Sequence, residues 1–385
     1  MGGIATITMS LLLPFSFMWF RVKSYEIFLI IHIILSVLTL VGLYYHTVIF
    51  DGEYDPYLWA PIGIWCIDRG TRFVRWVYCN VHVNSSGILN TKASATYIRD
   101  GNFLRVEIVP GSHVLKPGPG QHYYLYQPVS WRGWENHPFT LAGYGKIEAS
   151  SQHDRHSVFH DAVGQQKLTF FVRPFDGWTK RLRDQCLKSA TGTITPHIFI
   201  EGPYGENSSL HTYENIIFIV GGSGIAGALP YLQEYLRMKA ENTTLTRDIT
   251  LVWSARQASM IRDIAENELK PMIGRDDIHL QFHATVGRGL RLKDRLRGKG
   301  SEKEVSTSSS SSSDDELEIA SGRPNIRHSI LNMIKEVNNA GSAGGRIAIM
   351  TCGPGAMADE ARAAVHAALK QGQRGVEYFE EAFGW

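Results

Sequence analysis

The chain is poor in cysteine and carries no surplus of charge. Its four cysteines, Cys66, Cys79, Cys186 and Cys352, share no short paired spacing, which argues against a disulfide framework or a cysteine-built zinc site. Its 39 basic and 37 acidic residues leave no basic face for nucleic acid, which needs Lys and Arg concentrated on one side. No secretory leader is expected either, because no small-residue cleavage site follows a basic start and a short apolar core.

Apolar residues, by contrast, are plentiful and unevenly spread. Residues 1–67 are mostly apolar, whereas the remainder has globular composition. In the run Ile27 to Phe50, His32 and His46 stand 14 positions apart. On an α-helix at ~100° per residue, that spacing returns to within about 40° of the same face and climbs about 21 Å, most of a ~30 Å hydrocarbon core. Imidazoles in lipid are costly without partners. Two haem irons stacked across a membrane would be such partners, and a structural role for each ring is the alternative. Ile4 to Phe20 is a second run of about span length, and Pro56 to Ile67 a shorter third. Basic residues cluster at Arg21–Lys23 and after Asp68, while Asp51 to Asp55 is acidic. Positive-inside reasoning therefore predicts three spans, His32 near the inner leaflet, His46 near the outer one, and everything after residue 68 in the cytosol. Residues 1–80 are taken as a transmembrane haem-binding region.

The sequence beyond residue 90 changes rhythm twice. In Phe103 to Val109, Leu104, Val106 and Ile108 alternate with Arg105 and Glu107, the pattern of a half-buried strand. Gln121–Tyr126, Phe139–Ala142, Lys167–Val172 and His197–Ile200 read similarly, and Gly/Pro turns separate them, which predicts a small antiparallel β-barrel over 90–210. From Ile216, apolar strands (216–220, 249–253, 346–351) alternate with helical stretches (228–240, 356–369), which predicts a parallel α/β domain over 211–385. Ser306 to Ser313 and the acids after it read as a disordered insertion at about 299–322, with a phosphorylated regulatory segment as the alternative.

Four constellations carry chemistry. Gly221-Gly-Ser-Gly-Ile-Ala-Gly227 follows an apolar strand and opens a helix; its glycines permit a tight turn and the helix start favours a pyrophosphate, although such glycines also serve simply to close a turn. The next strand runs into Arg256 where an NAD-preferring unit would carry an acid; an arginine there suits a 2′-phosphate, unless it is merely a surface residue. Thr351-Cys-Gly-Pro-Gly355 places Cys352 and Gly353 at another strand end, where ligands of open α/β sheets bind; a lone cysteine there is otherwise a small packed residue. His137-Pro138-Phe139-Thr140 could hold a flat, phosphate-bearing ligand. Arg173-Pro-Phe-Asp-Gly177-Trp-Thr179 precedes an amphipathic helix with Leu182 and Leu187, with Thr179 either an N-cap or a diphosphate contact.

Taken together, the His137–Thr140 motif, the Gly177-x-Thr179 helix start, Gly202-Pro-Tyr-Gly205, the 221–227 and 351–355 loops, Tyr25 to His32, and the ending Tyr378-Phe-Glu-Glu-Ala-Phe-Gly-Trp385 occur in the order seen in fungal ferric-chelate reductases. The chain resembles that branch of the ferric reductase/NADPH oxidase superfamily, whose soluble part is similar to ferredoxin–NADP reductase. The resemblance implies that His137, Pro138, Phe139 and Thr140 line FAD, with Gly177, Thr179 and Arg173 at its diphosphate. It implies that Gly222, Gly224 and Gly227 meet the NADPH diphosphate, Arg256 the 2′-phosphate, and Cys352 and Gly353 the nicotinamide. Trp385 would stack on the flavin and step aside for hydride transfer, or else serve as a hydrophobic C-terminal anchor. His32 and His46 would each ligate one haem b. Family members carry a second histidine pair on an earlier helix, and this chain begins too late for it, so we expect a fragment, a short gene model, or incomplete haem sites. His113, His122, His153, His156 and His160 fall in soluble segments and cannot substitute.

The implied activity is electron transfer from cytosolic NADPH through FAD and haem to a ferric or cupric chelate or siderophore across a plasma membrane. Membrane lipid and a metal permease are the further partners implied. A superoxide-forming NADPH oxidase and a truncated subunit inactive alone are the alternatives.

Overall fold

Apolar sequence at the N-terminus winds into helices, and in the computed structural model these form one compact unit, Met1–Tyr78; Cys79–Trp385 forms a second. The structure describes residues 1–23, 25–84, 87–112, 115–127, 136–147, 159, 162, 164–286, 290–291, 318–341 and 344–381. The first unit holds α1 (Gly2–Phe15), α2 (Met18–Lys23), α3 (Tyr25–Thr47) and nearly all of α4 (Asp55–Asn80). Small side chains let α1 and α3 approach closely. A Cβ on Gly42 would lie 3.0 Å from the Ala5 amide nitrogen, and the Thr8 and Thr39 hydroxyls share a hydrogen bond of 2.8 Å.

Three spans were expected, and the helices differ. Among the described residues only Ile27–Phe50 is long and apolar enough to cross a membrane. At ~1.5 Å per residue, α1 is about 21 Å long, short of a ~30 Å core. Asp68 to Arg75, expected as a polar boundary, is instead helical within α4. Asp68 pairs with Arg69 beside it and with Arg72 one turn on, the i,i+4 spacing that supports a solvated helix.

The second unit begins with a hairpin of β1 (Val81–Asn84) and β2 (Gly87–Asn90). An antiparallel sheet follows, made of β3 (Lys92–Ile98), β4 (Phe103–Val109), β5 (His122–Tyr126), β6 (Asn136–Lys146), β7 (Gln166–Val172), β8 (Thr193–Ile194) and β9 (Phe199–Tyr204), in the order β8-β3-β4-β7-β6-β5-β9. Its end strands β8 and β9 do not pair with each other among the described residues. The helix α5 (Gly177–Lys188) buries Trp178, Thr179, Leu182 and Cys186. The expected Leu187 points outward instead, because Cys186, four residues after Leu182, holds the inward face.

A parallel sheet completes the unit. It holds β10 (Asn215–Gly221), β11 (Asp248–Gln257), β12 (Ile278–Val286), β13 (Leu290–Arg291), β14 (Glu318–Ser321), β15 (Ile347–Cys352) and β16 (Val376–Glu380). Between them lie α6 (Ile225–Ala240), α7 (Ala258–Asn267), α8 (Ile326–Asn339) and α9 (Gly355–Lys370). The strand order is β13-β14-β12-β11-β10-β15-β16, with only the short β13 antiparallel. Continuous apolarity in β10 follows from coverage on both faces. Phe218 and Val220 pack with α6, while Ile217 and Ile219 pack with Ile330, Ile334, Ala361 and Ala364 of α8 and α9. The inserted segment ends earlier than expected: Glu318–Ser321 is a strand, held by Ile319, which is buried opposite Phe282. Its serine-rich part lies outside the described residues. Phe103 and Phe171 of the antiparallel sheet belong to the same core cluster as β10 and α6.

Candidate functional site

Strand order reverses between β10 and β15, since β11 lies on one side of β10 and β15 on the other. Open parallel sheets bind ligands at such a switch point, beyond the carboxyl ends of the strands. Both glycine-containing turns singled out in the sequence meet there. Gly222 turns the chain with φ +57° and has open space around it, and the Trp253 indole donates to its carbonyl at 3.0 Å, pinning the loop. Gly224 and Gly227 face the other turn. A Cβ on Gly224 would lie 2.2 Å from the Cys352 carbonyl oxygen, and one on Gly227 would lie 3.0 Å from Cys352 Sγ. Gly353 similarly sits against Gly221. No side chain caps the first turn of α6; the Ile225 amide bonds back to the Gly222 and Ser223 carbonyls, and the Gly227 amide is turned to Cys352. Arg256 is exposed near the end of β11.

Two residues that sequence reasoning missed complete this edge. Glu381 follows β16, and its amide donates to the Thr351 carbonyl at 2.9 Å. Its carboxyl stands 2.9 Å from where a Gly227 Cβ would be and accepts the Tyr231 hydroxyl at 3.3 Å. Burial pushes this carboxyl from its ordinary 4.5 up to about 7, against the pull of that hydrogen bond. Burial, and then the Glu381 charge, push the Cys352 thiol up as well, so it is a thiol rather than a thiolate at neutral pH. Burial beside Glu381 raises Tyr231 to about 12. Glu381 lies within the C-terminal motif, but nothing in the sequence pairs it with Tyr231.

On β6, alternation sends the His137–Thr140 motif to two faces. His137 and Phe139 pack on Trp178 of α5, with ring centroids at 6.2 and 5.7 Å, and the Trp178 indole donates to Gln127 at 2.7 Å. Pro138 and Thr140 lie opposite Tyr124 and His122 of β5. There His122, Tyr124 and Tyr204 form a ring cluster, and the buried Glu201 carboxylate accepts the Tyr126 and Tyr204 hydroxyls. Gly177 starts α5 with φ +60° and open space around it, and no side chain caps this helix. The half-buried rings on β5 and β9 suit a flat ring system, and the open start of α5 suits a diphosphate. The Thr179 hydroxyl, expected as an N-cap or a diphosphate contact, is used locally: it accepts the Phe175 amide and donates to the Asp176 carbonyl, both at 3.1 Å. Arg173 is exposed. Trp385 lies outside the described residues. Trp178 and Tyr204 lie within motifs singled out in the sequence and Tyr124 within an expected strand, but their company, like that of Glu201, comes from strand register.

The membrane histidines fit a haem less well. Both turn toward α1. His32 Nδ1 lies 3.5 Å from Ser16 Oγ, and the His46 ring lies 3.0–3.2 Å from where a Gly2 Cβ would be. Residues 1–78 contain no other histidine, and among the described residues no cluster of three or more His, Cys, Asp or Glu side chains could hold a metal ion. One imidazole per iron, with a helix seated on the same face, does not make a closed two-imidazole site.

Comparison with known proteins gives the same two-part reading of the second unit. A family model described as "FAD-binding domain" matches residues 88–208, and one described as "Ferric reductase NAD binding domain" matches 213–366. The chain is 27% identical to a "Probable ferric reductase transmembrane component" of Candida albicans, across 100% of this chain and 53% of that protein. It is also 27% identical to "Ferric/cupric reductase transmembrane component 1" of Candida albicans (strain SC5314 / ATCC MYA-2876), across 100% and 47%. Against "Ferric reductase transmembrane component 3" of Saccharomyces cerevisiae the identity is 25%, across 100% and 50%. The chain thus spans about half the length of the curated relatives it matches.

Proposed function

The chain belongs to the ferric reductase family, and on that premise we propose that it takes a hydride from NADPH and passes the electrons on to a ferric chelate, with cupric chelates as a second acceptor. The observation that carries this reading is the switch point, where two interlocking glycine turns, a buried thiol and a carboxyl near neutral pKa converge at one sheet edge. FAD, when bound, supplies the conversion between two-electron and one-electron steps.

The chain's own residues do the rest. The glycine loop of Gly222, Gly224 and Gly227 holds the NADPH diphosphate, and Arg256 at the end of β11 takes its 2′-phosphate. Cys352 and Gly353 border the nicotinamide, and the protonated thiol adds no negative charge there. Glu381 holds a proton at its carboxyl beside Cys352. Gly177 and the first turn of α5 hold the FAD diphosphate, with the ring clusters on β5, β6 and β9 against its flat parts. Trp385 shields the flavin. Each NADPH reduces two ferric ions to two ferrous ions and leaves NADP⁺ and one proton.

We place the chain in a plasma membrane through Ile27–Phe50, with lipid around that helix and the second unit in the cytosol. A metal permease would be the partner that consumes the product. His32 and His46, the residues that would ligate haem, each lack an opposing imidazole within residues 1–78.

The test is anaerobic mixing of the FAD-loaded full chain with NADPH, reading flavin bleaching and then ferrous ion released from a ferric chelate. Bleaching followed by ferrous ion supports the reading. A flavin that NADPH leaves oxidised rejects it.

A further inference from the structure

Arg105 sits on β4 of the antiparallel sheet, yet its partners lie on and just beyond α7 in the parallel half. Its guanidinium donates to Asp263 at 2.5 Å, to Glu268 Oε1, and to Glu268 Oε2 at 3.3 Å. All three side chains are largely buried, with 16%, 23% and 12% of their surface exposed for Arg105, Asp263 and Glu268. The same guanidinium lies 5.5 Å from the ring centroid of Phe171, the residue opposite it on β7. Around it the halves touch again. Ser259 Oγ donates to the Asp100 carbonyl at 2.5 Å, and a Cβ on Gly101 would lie 3.3 Å from Met260 Cα.

We propose that Arg105 is a positioning residue for hydride transfer, clamping the flavin-binding sheet to the nucleotide-binding half through Asp263 and Glu268. The inference rests on the functional reading above. Two domains joined in one chain move relative to each other by default unless their interface is strong. Hydride transfer requires reacting atoms about 3–3.5 Å apart, and a shift of ~1 Å costs about 10²-fold in rate. A planar guanidinium that engages two carboxylates fixes direction as well as distance, which an ammonium on a flexible stem does not. The ring of Phe171 beneath it removes its remaining freedom.

The test uses the FAD-loaded full chain and the variants Arg105→Met, Arg105→Lys, Glu268→Gln and the double variant Arg105→Met/Glu268→Gln. At saturating NADPH, flavin bleaching should slow by about tenfold or more in Arg105→Met, with NADPH affinity changed less than about twofold. The long-wavelength charge-transfer absorption of stacked flavin and nicotinamide should weaken in parallel, Arg105→Lys should rescue only part of the rate, and the double variant should be no slower than Arg105→Met. Bleaching at the wild-type rate in Arg105→Met with full flavin content overturns the proposal. Hydrogen exchange over Phe103–Val109 and Ala258–Asn267 reads the clamp without turnover. Faster exchange in Arg105→Met supports it, and unchanged exchange overturns it, whether or not NADPH bleaches the wild-type flavin. A wild-type flavin that stays oxidised rejects the functional reading separately.

Discussion

At the scale of single residues, the site is built from groups that leave no room for alternatives. A methyl on Gly224 would lie 2.2 Å from a backbone oxygen, whereas one on Gly222 would meet nothing and suffer only its φ of +57°. Gly224→Ala should therefore cost about 1–3 kcal/mol through overpacking and also loosen NADPH. Gly222→Ala should cost about 1–2 kcal/mol through the left-handed backbone alone. Thermal melts with NADPH titration separate the two. Glu381 supplies a pH signature. Its folded carboxyl is raised to about 7, so the folded state keeps a proton that the unfolded state has released. Stability contributed by that proton is present below the ordinary 4.5 and is lost as pH climbs toward 7. Glu381→Gln should remove it, so melting temperatures followed from about pH 5 to about pH 8 should fall less steeply than in the wild type. The glycines were legible in the sequence because a turn advertises itself locally. Glu381 was not, because its partner Tyr231 is 150 residues away.

Among the elements, legibility followed burial. The strands at 103–109, 166–172, 215–221 and 347–352 matched their sequence patterns because burial on one face imposes alternation and burial on both imposes a continuous apolar run. The strand expected at His197–Ile200 runs instead from Phe199 to Tyr204, since pairing with β5 sets its register. Helix α4 continues past Ile67, where the apolar run ends, because its later turns carry charges that a solvated helix tolerates as well as a loop does. Helix α5 depends on Trp178, which stacks on His137 and Phe139 and is 3% exposed. Trp178→Ala should cost about 3–5 kcal/mol and reduce the FAD that copurifies; full FAD content would separate α5 from the flavin site. At the end of β11, Arg256→Ala should weaken NADPH far more than NADH, and equal losses in a binding titration would remove its 2′-phosphate role.

For the whole molecule, the boundary between the two compact units falls at Cys79. Cys79 and Asn80 hydrogen-bond to Gly202 and Ile200 of β9, the Asn80 amide to both backbone groups of Ile200 at 2.6 and 2.8 Å. A fragment starting at Cys79 should therefore fold alone, take up FAD and be bleached by NADPH; aggregation of that fragment, or a flavin content near zero, would contradict it. Within this unit Phe103 and Phe171 of one sheet are packed among Phe218, Leu229 and Ile261 of the other half. Calorimetry should accordingly show one cooperative transition for both sheets rather than two. In a cell, such shared packing means that neither half can be damaged and kept. A lesion in the flavin sheet exposes the nucleotide half to proteases as well, so faulty copies are cleared whole and leave behind no nucleotide half that still binds NADPH without a flavin to receive its hydride.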